Sequence, residues 1–151
     1  MVSERNIGAE GFESVDHTAD VGLRVRARSL EALFLHSAEG LAALLAGPRA
    51  VGRGRERVFS LRGIDLEELL ISWLNEILFC HETERVLFGH FEILHIRRVE
   101  DGFELGAKAG AEPYDPARSS GGTEVKAATY HDLRIEARGD GGYEVTIIFD
   151  T

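Results

Sequence analysis

Residues 65–81 constrain the fold more than any other stretch, because they predict a helix whose apolar stripe is too wide to leave in water. The segment begins with DLEE, a D-x-x-E capping box that marks a helix N-terminus. Ile71 and Phe79 widen the stripe, so the helix is expected to be central and covered on much of its surface. The stripe itself recurs at helical spacing: Leu66, Leu69, Leu70, Trp73, Leu74, Ile77 and Leu78.

A second helix and a series of strands are predicted around this central helix. Ser29 is a favourable N-cap, apolar residues then recur at helical spacing over residues 30–45, and Gly47 and Pro48 end the helix. Residues 21–27 alternate apolar and polar side chains, as in a half-buried strand. Further strand-like runs cover residues 12–15, 55–62, 88–96, 103–111, 123–130, 133–137 and 143–149. Two helices among about seven mostly antiparallel strands indicate an α+β fold.

Length and composition are those of one domain. The chain has 151 residues, of which 44% are hydrophobic, enough for one core. Residues 1–10 are expected to be a poorly ordered N-terminal extension, and residues 11–151 a single domain. No apolar run approaches the roughly 20 residues of a membrane span, and the first residues lack the apolar region of a signal peptide. With Cys80 as the single cysteine, we expect no internal disulfide, no membrane and a cytoplasmic location.

The charge of the chain bears on its partners. The formal net charge is −9, and affinity for nucleic acid comes mainly from clustered lysine and arginine side chains. An acidic chain suits cations or basic partner proteins instead. Any contact with RNA is therefore expected to be made through a partner.

Familiar catalytic motifs are missing from the sequence. It contains no glycine-rich phosphate loop of either common type. Ser119 and Ser120 lie in an irregular loop, residues 112–122, without the sequence of a nucleophile elbow. Paired carboxylates for general acid–base chemistry remain open.

The C-terminal hairpin can be predicted in register from its apolar faces. Residues that oppose each other lie on the same face of a sheet, which puts Ala137 opposite Val145. This pairing leaves Asp140, Gly141 and Gly142 as a three-residue loop. The same register gives two further pairs, Asp150 with Asp132 and Thr151 with His131.

The sequence DHTADVG contributes Asp16 and Asp20 to a candidate carboxylate cluster. With Asp150, Asp132 and the α-carboxylate of Thr151, these residues supply hard oxygen donors of the kind that bind Ca²⁺, Mg²⁺ or Mn²⁺. The alternative is that Asp16 and Asp20 form an ordinary turn while Asp150 is a terminal residue without a ligand role. Spacing alone does not decide between these interpretations.

Four motifs in order resemble the archease family. They are DHTADVG, LEELLISWLNEILF, EVKAATYHDL and the terminal FDT, and the resemblance covers about residues 12–150. Two departures concern the loop before the lysine motif. Ser119 stands where many relatives carry a histidine, and the usual Gly-Glu pair reads Ala111-Glu112.

The resemblance implies a protein cofactor of the RtcB-type, GTP-dependent RNA ligase, which seals tRNA halves or other RNA ends. Such a cofactor promotes guanylylation of the ligase and multiple turnover, and it performs no ligation itself. The resemblance also implies a metal site formed by Asp20, Asp150 and an oxygen of Thr151, with Ca²⁺ expected first and Mn²⁺ or Mg²⁺ as alternatives. Four other residues match motif positions around this site: Asp16, His17, Lys126 and His131.

Two other classes of function remain open at this point. The same carboxylates could serve a metal-dependent phosphoesterase or another hydrolase. A chaperone-like module for a nucleic-acid enzyme would need no metal. Lys126 could contact a phosphate or carboxylate, or it could be a solvated strand residue.

Overall fold

The computed structural model describes residues 10–17, 20–115 and 121–151, and the side chains of Asp16 and His17 lie outside this description. Residues 1–9 of the expected extension over residues 1–10, and the loop residue Ser119, also lie outside it. Within the described residues there are two helices, α1 (Leu30–Ala46) and α2 (Leu66–Glu84), and eight strands. The strands are β1 (Gly11–His17), β2 (Asp20–Ala27), β3 (Arg55–Gly63), β4 (Val86–Val99), β5 (Gly102–Pro113), β6 (Ala127–Thr129), β7 (Glu136–Ala137) and β8 (Tyr143–Asp150).

The strands form two antiparallel sheets that share one hydrophobic core with the helices. One sheet has the order β1-β2-β8-β6, with β7 also paired to β8, and the other has the order β3-β5-β4. Buried side chains from both sheets and both helices belong to a single cluster. The predicted α+β fold is therefore confirmed. Among the described residues, no helix is long and apolar enough to cross a membrane.

Helix α2 occupies the central position that its sequence predicts. The Asp65 carboxylate accepts from the Glu68 N–H at 2.8 Å, which confirms Asp65 as the N-cap. The Glu68 carboxylate reaches back as in a capping box, but it accepts from the Ile64 N–H at 2.8 Å, one residue before the N-cap. Trp73 is fully buried, and its indole Nε1 donates to the Phe34 carbonyl at 3.1 Å. Phe79 was expected to widen the buried stripe, but it is 61% exposed.

The predicted register of the C-terminal hairpin is wrong by two residues. Ala137 pairs with Tyr143 instead of Val145, and the loop is Gly139-Asp140-Gly141, closed by a 2.7 Å bond from the Arg138 N–H to the Gly142 carbonyl. This loop puts Gly141 at the position with a positive φ of 90°, which glycine adopts without strain. The predicted loop would have put Gly142 there.

The predicted pairing of Asp150 with Asp132 and of Thr151 with His131 is wrong as well. Asp150 pairs with Ala127, because the chain turns out of the sheet after β6. The Leu133 N–H donates to the Tyr130 carbonyl across this turn at 3.0 Å, and Asp132 has a φ of 53°. The strands expected over residues 123–130 and 133–137 are consequently reduced to Ala127–Thr129 and Glu136–Ala137.

A histidine on α1 connects the helix to the start of the first sheet. His36 lies between two carboxylates, with Nδ1 2.8 Å from Glu39 and Nε2 2.8 Å from Glu10. The hydrogen bond to Glu39, and then the one to Glu10, raise the pKa of His36 above its ordinary value, against the opposing effect of burial. Glu10 also accepts from the Arg28 N–H at 3.0 Å, so the imidazolium ties the residue before β1 to α1.

This contact predicts a pH-dependent contribution to stability. A histidine whose pKa is raised by folding contributes its full stabilisation below the unfolded pKa of about 6.5. That contribution is lost as the pH rises through the folded-state pKa. We expect His36→Gln to lower the free energy of unfolding by about 1 kcal/mol at pH 5.5 and by progressively less in alkaline solution. Urea unfolding across this pH range measures the effect, and Glu39→Gln should remove much of the same dependence. Parallel stability curves for the wild type and His36→Gln would contradict it.

Candidate functional site

Two of the predicted metal ligands lie at adjoining strand ends. Asp20 is the first residue of β2 and Asp150 is the last residue of β8. The antiparallel register pairs Val21 with Phe149, and one further step places Asp20 beside Asp150. On its other side, Asp20 pairs with His17 of β1. The fold thus brings the ends of three strands together at the DHTADVG segment.

The carboxylates of Asp20 and Asp150 belong to the face of the sheet that points away from the core. Leu23 and Phe149 are fully buried on the core side. Because side chains alternate along a strand, Asp20 and Asp150 share the opposite face. Asp150 is exposed to solvent there, and the following residue, Thr151, is exposed as well.

This donor set fits a hard divalent cation only in part. In the portion of the chain that the structure describes, no group of three or more His, Cys, Asp or Glu side chains is arranged to hold a metal ion. Two carboxylates offer at most four oxygens, and Ca²⁺ takes roughly six to eight. The remaining ligands would come from Thr151, from Asp16 or His17, from water or from a partner. The chemistry of the donors suits Ca²⁺, Mn²⁺ or Mg²⁺ and not a soft metal.

Lys126 lies next to this carboxylate pair through the backbone. Its N–H donates to the Asp150 carbonyl at 2.8 Å, and its side chain is exposed immediately before β6. His131 follows β6 in the exposed turn, with Nε2 3.3 Å from the Asp132 carboxylate. Strand pairing therefore brings Lys126, and not His131, beside Asp150.

Two side chains of α2, Asn75 and Glu67, hold the backbone of β6 and of the segment that follows it. Neither was predicted from the sequence to have a role. The Asn75 Oδ1 accepts from the Ala128 N–H at 2.8 Å, and Nδ2 donates to the Ala128 carbonyl at 3.4 Å. The Glu67 carboxylate accepts from the Ile135 N–H at 3.1 Å. The sequence signal available for Asn75 was an amide side chain between Leu74 and Ile77 of the apolar stripe, and the structure shows it half-buried.

A cleft of about 430 Å³ adjoins Lys126. At its wall, His81 Nδ1 donates to the Val86 carbonyl at 2.8 Å, so its Nε2 accepts from the Tyr114 hydroxyl at 3.1 Å. Burial raises the pKa of Tyr114 above its ordinary value, in keeping with a hydroxyl that acts as a hydrogen-bond donor. Both rings thus serve as fixed hydrogen-bonding groups. The full lining is His81, Glu82, Arg85, Tyr114, Glu124, Val125 and Lys126.

Nearly the whole chain is similar to known proteins of one family. Residues 12–151 match the Archease protein family (MTH1598/TM1083). The chain is 40% identical over 139 residues to a protein named "Protein archease" from Methanopyrus kandleri, covering 92% of this chain and 98% of that protein. For the Pyrococcus abyssi protein of the same name the identity is 37%, with coverages of 92% and 97%. The solution structure of Methanobacterium thermoautotrophicum protein 1598 superposes with a TM-score of 0.80 at 33% identity, covering 93% of this chain and 99% of that one.

Proposed function

Because the chain belongs to the archease family, we propose that it is a protein cofactor of an RtcB-type, GTP-dependent RNA ligase. It promotes guanylylation of the ligase and multiple turnover in tRNA splicing or RNA repair, and it joins no RNA itself. The observation that carries this proposal is the meeting of Asp20 and Asp150 at adjoining strand ends. Lys126 lies beside them, bonded through its N–H to the Asp150 carbonyl.

The carboxylates of Asp20 and Asp150, with an oxygen of Thr151, hold a divalent cation in this proposal. Ca²⁺ is the first candidate, followed by Mn²⁺ and Mg²⁺. When bound, such a cation supplies positive charge that orients and neutralises phosphate oxygens during nucleotidyl transfer.

Lys126 supplies a positive charge near the same end of β8, at the cleft that His81 and Arg85 line, and this charge contacts a phosphate or a carboxylate of the partner. Asp16 and His17 of β1 and His131 in the turn after β6 complete the surface that meets the ligase. The net charge of −9 suits a ligase that is basic where it binds RNA. RNA is reached only through the ligase, in the cytoplasm.

Formation of the covalent ligase–GMP adduct tests this function. We expect the wild-type protein to increase the rate of adduct formation by its cognate ligase, and Lys126→Ala to lose most of that increase. Lys108→Ala is the matched control, because the Lys108 Nζ is engaged by Glu56 and Glu92 at 3.7 and 3.6 Å on the other sheet. Unchanged adduct formation with the wild-type protein would reject the proposal.

The two competing functions give different results in the same experiment. A phosphoesterase would release product from phosphate esters without the ligase, although neither Tyr114 nor His81 of the neighbouring cleft is poised as a nucleophile. A chaperone-like module would preserve ligase activity equally well with Lys126→Ala and without any divalent cation. Either result would support the corresponding function in place of the proposed cofactor function.

A further inference from the structure

We infer that Asn75 is a positioning residue that sets the place of Lys126 beside Asp150; this inference rests on the proposed function. The Asn75 amide makes a reciprocal pair of hydrogen bonds with the backbone of one residue, Ala128. Ala128 lies two positions after Lys126. The contact therefore connects the central helix to the strand that follows the lysine.

An amide is needed at position 75 because β6 lies at the edge of its sheet. β6 is the outermost strand of its sheet, and it pairs only with β8 among the described strands. In an antiparallel ladder the N–H and C=O of one residue point to the same side. Those of Ala128 point away from β8 and reach Asn75, whose side-chain amide takes the place of a neighbouring strand.

The geometry also fixes the orientation of that amide. The Ala128 N–H needs an acceptor and its carbonyl needs a donor, and a carboxamide is a short side chain that supplies both. Aspartate at position 75 would keep the acceptor and lose the donor. Alanine would lose both and leave two backbone groups of β6 without these partners.

The support for β6 is otherwise small. The strand has three residues, Ala127–Thr129, whereas β8 has eight. Beyond β6 the chain turns away from the sheet, and its next described hydrogen bond to α2 runs from the Ile135 N–H to the Glu67 carboxylate at 3.1 Å. Asn75 thus makes the described α2 hydrogen bonds that lie nearest in sequence to Lys126, and its neighbours on the helix, Leu74 and Ile77, are buried in the core.

Hydrogen exchange of the metal-free protein tests the contact itself. In Asn75→Ala we expect the Ala128 amide to exchange about tenfold faster or more, since the loss of one or two hydrogen bonds changes an opening equilibrium by that order. Asn75→Asp, which retains the acceptor, should show a smaller increase. Ser37→Ala is the control, because it removes a buried hydrogen bond of 2.7 Å to the Leu33 carbonyl on the other helix.

A double-mutant cycle in the ligase assay tests positioning. We expect Asn75→Ala to reduce stimulation of ligase–GMP formation by about fivefold or more, and to have no further effect in a Lys126→Ala background. Ser37→Ala should retain stimulation. Full stimulation by folded Asn75→Ala protein, or equal and additive losses in the two backgrounds, would overturn the role of Asn75. If Lys126→Ala and Asp150→Ala also stimulate fully, the proposed function itself fails.

Discussion

Trp73→Ala is expected to lower the free energy of unfolding by about 3–5 kcal/mol, because it removes the largest fully buried side chain. The indole packs edge-on against Phe59 and Phe91, with ring centroids 5.0 and 5.9 Å away. Its removal also takes the Nε1 donor from the Phe34 carbonyl. Urea unfolding of the metal-free protein at fixed pH measures the loss.

Phe79→Ala is the matched control for Trp73→Ala, since it truncates another aromatic residue of the same helix. Phe79 is 61% exposed, and we expect a change of about 0.5 kcal/mol or less. Similar losses from the two substitutions would mean that the buried face of α2 has been assigned incorrectly.

Asp20→Asn and Asp150→Asn should each abolish stabilisation by a divalent cation. At a hundred times the dissociation constant, a ligand that binds only the folded state stabilises it by about 2.7 kcal/mol. We expect this gain with Ca²⁺ or Mn²⁺ in the wild type and its near-complete loss in both variants. Thermal melting with and without the cation measures it. The metal-free variants should melt close to the wild type, because both residues lie on the outer face of the sheet.

Asp132→Asn separates the observed strand register from the one predicted from sequence. Asp132 lies in the turn after β6 and does not pair with Asp150. The variant should therefore keep the full cation-dependent stabilisation. An equal loss in Asp132→Asn would favour the predicted register, and retention of the gain in Asp150→Asn would remove Asp150 from the metal site.

Local interactions explain which elements were predictable. The N-cap contact of Asp65 with Glu68 and the N-cap at Ser29, which accepts from the Ala32 N–H at 3.1 Å, depend on residues three positions apart. Both helices therefore begin where the sequence predicts. Phe79 differs, because apolar character at one helix position does not specify whether another element will cover it.

Non-local contacts explain the wrong register. β6 is held by Asn75, 53 residues from Ala128, and the segment after it is held by Glu67, 68 residues from Ile135. Alternation of apolar residues cannot report where a chain leaves a sheet to meet a distant helix. The adjacency of Asp20 and Asp150 was expected from family resemblance, and the pairing of β2 with β8 now supplies its structural basis.

The most direct measurement of the central claim is the number of RNA joining events per ligase molecule, with this protein present or absent. We predict that the wild-type protein increases this number, that Asp150→Asn does not, and that the protein alone joins no RNA. Both proteins should be checked by urea unfolding so that a folding defect cannot produce the difference. Equal stimulation by folded wild-type and Asp150→Asn protein would contradict a role for the carboxylate pair.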